Sequence, residues 1–193
     1  MSIVDVSIEQ ASMARAYNLL RHINGGFPRT VAAAVNRTLE SMKTETVRET
    51  QEKYFVKPGE IRKTLKLRKA SAGNFQGTMF SKGGRRKLSN YQLTPRRPQT
   101  GRKNVFQGAV KRAGGLKTLP EDTFMMNTPN AGYVLFRRVR PGRRWQNITH
   151  VHSPAIPQII KNKETVLTVE KKTQEVFERR LNHEVFRMLK LTP

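Results

Sequence analysis

The chain has 193 residues, with 37 Lys and Arg against 14 Asp and Glu, a net charge of +23 and no cysteine. That length allows one domain with a real hydrophobic core and is short for two, and a hydrophobic fraction of 36% keeps the core modest. The missing cysteines exclude disulfides and thiolate metal sites, no apolar run approaches the roughly 18 residues of a membrane span, and Met1-Ser2-Ile3-Val4-Asp5-Val6 has neither region of a signal peptide.

The first third reads as helical. Ser7 and Gln10 fit a capping box, and Ile8, Ala11, Ala14, Leu19 and Ile23 lie near helical spacing. Asn24-Gly25-Gly26 stops this helix, because glycine takes the left-handed C-terminal conformation readily. Pro28 fits the first turn of a second helix running to about Tyr54. Val31, Ala34, Val35, Leu39, Met42 and Val47 form its apolar stripe. Glu49 with Lys53 and Glu45 with Arg48 have the spacing of pairs on its wet face. Lys57-Pro58-Gly59-Glu60 reads as a break, followed by one more helical turn over Ile61 to Leu65.

From Leu65 the pattern changes to alternation. Leu65 to Ala70 and part of Asn74 to Phe80 read as strands, followed by a turn over Ser81 to Gly84. Arg85 to Lys103 has two prolines and seven basic residues with little apolar content, so it reads as a long loop. Val105 to Val110, Thr123 to Met126 and Tyr133 to Val139 are further strands, with turn chemistry at Pro129-Asn130-Ala131-Gly132. Trp145 to Val151 reads as an edge strand. Beyond Pro154 and Pro157, Val166, Val169, Thr173, Val176, Phe177, Leu181, Val185 and Met188 mark a helix of about 25 residues, roughly 38 Å long. The order implies an α+β fold: N-terminal helices and a long C-terminal helix on a small, mostly antiparallel sheet. The expected organisation is one unit over 1–193, with a helical part to 65, a basic β part over 66–152 and a C-terminal helical part from 153. The β part contains a loop over 81–104.

Charge is distributed unevenly along this order. Residues 61–120 contain sixteen basic residues and no acid, while twelve of the acids lie in residues 1–60 or from Glu164 onward. Such a middle section repels itself unless a polyanion, an acidic subunit or counterions lie against it. Its arginine-rich clusters suit bidentate contacts to phosphate or carboxylate. The candidate nucleic-acid contacts are Arg85, Arg86, Lys87, Arg96, Arg97, Arg102, Lys103, Arg143 and Arg144. A solvated face or a contact with acidic neighbouring subunits accounts for the same clusters. No zinc finger, RNP-type motif or helix-turn-helix accompanies them, so contact with a backbone without sequence readout is the expected mode.

Catalytic signatures are missing. There is no Walker A, dinucleotide, G-x-S-x-G or H-E-x-x-H motif. His150 and His152 would share one strand face, but no third metal ligand is evident nearby. Glu121-Asp122 reads as a turn closure, and His183 beside Glu184 as ordinary helix-face polarity. No enzyme activity, metal or cofactor is expected.

Several segments, taken in order, resemble one family. They are Ala32-Ala33-Ala34-Val35-Asn36-Arg37-Thr38-Leu39, Tyr54-Phe55-Val56-Lys57-Pro58-Gly59-Glu60-Ile61-Arg62-Lys63-Thr64-Leu65, Gly132-Tyr133-Val134-Leu135-Phe136-Arg137-Arg138 and Ser153-Pro154-Ala155-Ile156-Pro157-Gln158-Ile159-Ile160, closed by Phe177 to Glu184. Their order is similar to that in the minor tail protein Z family, the tail-completion proteins of lambda-like phages and prophages. The resemblance implies a structural virion protein that is made in the host cytoplasm and acts late in tail assembly. It would complete the head-proximal end so that the tail can join a DNA-filled head. It also implies a homo-oligomeric ring with other tail and head–tail connector proteins as partners, and the basic middle section is compatible with nonspecific contact with phage DNA. Charge alone also fits a free, sequence-nonspecific nucleic-acid-binding protein.

Overall fold

Two glycines set the first corner of the fold. In the computed structural model, which describes residues 2–5, 10–99, 104–139 and 147–190, helix α1 spans Gln10–Leu20 and α2 spans Gly26–Lys53. Gly25 precedes α2 with φ 66°, a left-handed conformation that costs glycine little because it has no Cβ. Pro28 lies in the first turn, where N–H groups have no intrahelical acceptor to lose. The cap expected at Ser7 falls outside the described residues.

The stripe of α2 is buried as its spacing predicts, from Val31 through Val47. Its main partner is the last helix, α5 (Lys163–Lys190), which buries Val169, Thr173, Phe177, Leu181 and Val185. Each large apolar side chain buried here contributes about 1.5–3 kcal/mol relative to exposure. Three of the buried threonines fit this seam by turning their hydroxyls back on their own helices. Thr38 donates to the Ala34 carbonyl at 2.8 Å, Thr46 to Met42 at 2.8 Å and Thr173 to Val169 at 2.6 Å. The hydroxyl is thereby satisfied inside the seam.

Ion pairs show that α2 and α5 run antiparallel. Lys53 meets Glu164 at 3.7 Å, Glu49 meets Lys172 at 2.7 Å and Arg37 meets Glu184 at 2.8 Å. The wet-face expectation for Glu49 is thereby corrected. Glu49 is buried at 7% exposure and pairs across to Lys172, which also holds Glu45 at 3.2 Å. Arg48 pairs with Glu52 instead. The hydrogen bond from Lys172 to Glu49, then that to Glu45, raises the lysine pKa above its usual 10.5. The raised value means this contribution to stability is complete below about pH 10.5 and is lost as pH rises through the folded-state value.

After Tyr54 turns extended, Pro58 opens α3 (Pro58–Thr64) at its first turn. Strand β2 (Leu65–Arg68) follows and pairs with β3 (Thr78–Ser81), whose other edge takes β1 (Ser2–Asp5). Asn36 on α2 clamps the chain beyond β2. Its amide donates to the Ala70 carbonyl at 3.0 Å and its oxygen accepts from the Ala70 N–H at 2.8 Å.

The expectation of a loop over 81–104 is corrected for much of its length. Arg86–Lys87 forms β4, Leu88–Asn90 a 3-10 turn and Gln92–Thr94 β5. Leu88, Tyr91 and Leu93 are buried, and the Tyr91 hydroxyl donates to the Pro154 carbonyl at 3.2 Å. Three apolar anchors hold the segment despite its charge. Its strands are too short for alternation to reveal them. β5 pairs with β6 (Gln107–Ala109), which pairs with β7 (Lys117–Thr118).

A hairpin of β8 (Thr123–Thr128) and β9 (Gly132–Arg138) turns at Gly132 with φ 64°. β10 (Ile148–His150) lies on its edge, and β11 (His152–Ser153) returns to pair with β4. A short helix, α4 (Ile156–Ile160), then buries Ile156, Ile159 and Ile160 before α5. The α+β class holds, and the described strands form four small antiparallel sheets.

Candidate nucleic-acid interface

The structure sorts the candidate cations into different environments. Arg85, Arg96 and Arg97 are exposed. Arg86 is largely committed within the fold, with a terminal nitrogen 2.8 Å from Glu60. Lys87 is half-buried on β4, whose backbone pairs with β11. Arg102, Lys103, Arg143 and Arg144 lie outside the described residues. Among the later arginines, Arg137 is bound to Asp122 at 2.7 Å, and Arg138 lies over the Phe124 ring at 5.1 Å.

Two adjoining clefts gather cations that are far apart in sequence. One, of about 400 Å³, is lined by Phe55, Lys57, Asn90, Tyr91, Arg96 and Arg112, together with Gln51, Val56, Pro58 and Gln92. The other, of about 480 Å³, shares Lys57, Asn90, Tyr91 and Arg96, and adds Glu60 and Arg86. Lys57 comes from the break between α2 and α3, and Arg96 follows β5. Arg112 is delivered by a backbone ladder. Tyr54 bridges to Lys111, the Phe55 N–H donates to Val110 at 2.9 Å, and the Arg112 N–H donates to Lys53 at 2.9 Å.

Arg112 is also oriented through its side chain. Its Nε donates to the Gln51 carbonyl at 2.9 Å, and the guanidinium sits 4.7 Å from the Phe55 ring centre. Such cation–π stacking contributes about 0.5–1 kcal/mol at an exposed site. Among the described residues the terminal nitrogens have no hydrogen-bond partner and remain available to an anion. Within the described residues, Lys57 and Arg96 have no ion pair, and the smaller cleft contains no carboxylate. In the larger one, Glu60 is held below its usual 4.5, first by the hydrogen bond from Arg86 and then by that from Lys63. An ionised Glu60 offsets Arg86, and Glu52, which lines a further cleft with Arg112, is paired with Arg48; among the described residues Lys57, Arg96 and Arg112 are left without an ion pair. That arrangement attracts phosphate or carboxylate oxygens and carries no base-reading geometry. Sequence reading missed Lys57 and Arg112 as members, since no local pattern joins residues from three separate segments.

His150 and His152 do come together, with ring centres 5.9 Å apart and edge to face. Among the described residues no group of three or more metal-ligating side chains forms. His150 instead packs 4.5 Å from the Phe136 ring, and its Nδ1 is buried without a hydrogen-bond partner among the described residues. Burial, then the charges of Lys87 and His152, push its pKa below 6.5. Between that depressed value and 6.5 the unfolded chain binds a proton that the folded chain refuses, so stability rises with pH there. Urea midpoints are therefore expected to fall as pH drops below about 6.5, with His150→Leu removing that part of the slope. An unchanged slope in the variant would assign the pH dependence elsewhere. Glu121 and Asp122 lie in a turn closed by the Thr123 N–H donating to the Pro120 carbonyl at 3.0 Å, and the Asp122 carboxylate is bound by Arg137 on β9.

A family model described as prophage minor tail protein Z (GPZ) matches residues 12–192. No curated protein and no solved structure matches the chain. The chain belongs to the prophage minor tail protein Z family, and is thus a structural protein of a phage tail.

Proposed function

We propose that this tail protein completes the head-proximal end of the tail, making it competent to join a DNA-filled head. The observation that carries this reading is the cleft of uncompensated cations on a member of a tail-protein family. A protein at the junction of head and tail meets two kinds of surface. One is neighbouring protein, and the other is the DNA that passes between the two compartments. The cation-rich middle suits the second, with Arg96 lining the cleft, Arg85 and Arg97 exposed, and Arg102, Lys103, Arg143 and Arg144 assigned to the same role. Exposed apolar side chains, among them Leu167 and Phe186 on α5, suit the first.

In this reading the partners are other tail and head–tail connector proteins, with copies of the chain arranged as a ring. The protein acts without catalysis or cofactor and is held in the virion after synthesis in the host cytoplasm. Among the described residues, no helix is long and apolar enough to cross a membrane.

A phage lacking this protein is expected to make filled heads and tails that do not join productively, and supplying the protein should restore infectious particles. Electron microscopy of the virion should place the chain at the upper end of the tail. Normal yields of infectious particles from the deletion would refute the reading. A chain absent from purified virions, yet bound to DNA in the cell, would favour the free nucleic-acid-binding alternative.

A further inference from the structure

We infer that Lys57, Arg96 and Arg112 form one discrete binding site for a nucleic-acid backbone, and that Glu60 withholds Arg86 from it. The inference rests on the DNA-facing part of the proposed function and assigns it to a particular cleft. The three cations line the smaller cleft together, two of them without ion pairs among the described residues and the third fixed by Gln51 and Phe55. Fixing matters because a pre-oriented guanidinium loses less side-chain freedom when it binds an anion. Amide side chains of Gln51, Asn90 and Gln92 supply neutral hydrogen-bonding groups around them.

The positive surface continues beyond the cleft. Arg97 and Lys111 adjoin Arg96 and Arg112 in the chain and are exposed. A track of this kind fits a repeating polyanion better than a single bound ion. Nucleic acid is favoured over an acidic protein segment because the cleft combines arginine with neutral amides and an aromatic ring, groups that meet phosphate, sugar and base faces alike.

Glu60 gives the site an internal control. It belongs to the larger cleft, and its carboxylate is occupied by Arg86 at 2.8 Å and Lys63 at 3.3 Å. Arg86 therefore stands at the cleft wall with its charge already matched. Removing Glu60 exposes a fourth cation to a bound backbone. Removing Arg86 takes away a cation that was already neutralised and leaves the Glu60 carboxylate at the cleft with Lys63 as its remaining partner, so it weakens anion binding.

The test measures binding of the full chain to a short mixed-sequence DNA duplex over a range of salt concentrations. Each phosphate contact contributes about 0.9 to the slope of log affinity against log salt. The variant Lys57→Ala/Arg96→Ala/Arg112→Ala is expected to lose about 2.7 from that slope, and Glu60→Ala to gain about 0.9. Arg179→Ala/Arg180→Ala, in the separate groove between α2 and α5, should leave the slope unchanged and controls for bulk charge. Thermal melts check folding, which is expected to survive because all three cleft cations are exposed. Equal slopes for wild type and the triple variant would overturn the site, as would an equal loss in the α2/α5 control. Polyglutamate competing as well as DNA in wild type, and failing with the triple variant, would reassign the cleft to an acidic protein partner. The tail-joining reading stands or falls separately, on particle assembly.

Discussion

Replacing Arg37 and Arg187 together by methionine is expected to destabilise the protein by about 3–5 kcal/mol. The reason lies in Glu184, whose side chain is 1% exposed within the seam between α2 and α5. One carboxylate oxygen lies 2.8 Å from Nε of Arg37 on the facing helix, without hydrogen-bond alignment, and the other lies 2.7 Å from Arg187 one turn along. His183 is 4.0 Å away but points mostly to solvent. Both arginines are about half exposed, so they can reach water if the carboxylate is removed. The carboxylate has no such escape. Deleting the cations strands a buried anion, whereas deleting the anion merely releases two surface cations.

This asymmetry yields an order of effects. Either arginine substitution alone should cost less than the pair, because one counter-charge remains. Adding Glu184→Leu to the double variant should recover much of the loss, since an apolar replacement for a buried ionic group is often neutral or better. Urea unfolding of these variants beside wild type measures it. A double variant within about 1 kcal/mol of wild type, on the scale of exposed pairs, would show that Glu184 reaches solvent without its partners.

Gly77→Ala is expected to cost about 1–3 kcal/mol by overpacking. A Cβ at Gly77 would lie 2.6 Å from Val35 Cγ1 and 2.7 Å from Leu39 Cδ1. Both neighbours are fully buried on α2, and valine is stiff at χ1, so neither yields easily. Gly77 thus sets how closely the chain entering β3 approaches α2. Adding Val35→Ala should recover part of the loss by opening space, making the pair non-additive. Gly59→Ala on α3 provides the contrast. Its Cβ would meet nothing within 4 Å, so the same substitution there should stabilise by about 0.5–1 kcal/mol. Matching losses at both glycines, read from urea midpoints, would discount close packing as the cause.

Much of the helical framework is legible in the residues themselves. The stripes on α2 and α5 repeat turn after turn along each helix, and the glycine and proline signals around residues 24–28 and 57–58 are local chemistry. The β8–β9 hairpin is readable for the same reason, with Gly132 supplying the turn. The segment around Leu88, Tyr91 and Leu93 is not. Its three anchors are spaced for neither helix nor strand and are outnumbered by charge. Their burial depends on distant parts of the chain, with Gly108 against Leu88 and the Pro154 carbonyl holding Tyr91. Glu49 is misread through the same limitation. Its i,i+4 neighbour Lys53 is visible locally, while Lys172, which binds it, arrives 123 residues later.

The sequence alone determined the α+β class, the two long amphipathic helices, the concentration of excess basic residues in the middle section, and a resemblance to a tail-protein family. These follow from periodicity, turn chemistry, charge counts and the order of family-like segments, all carried by the chain as written. Only the tertiary structure decided which cations are already neutralised and which stand together. Arg86 is matched by Glu60 on α3, while Lys57, Arg96 and Arg112 meet in one cleft from three separate segments. Coulomb attraction depends on distance in space, and folding sets those distances through pairings that sequence separation does not reveal.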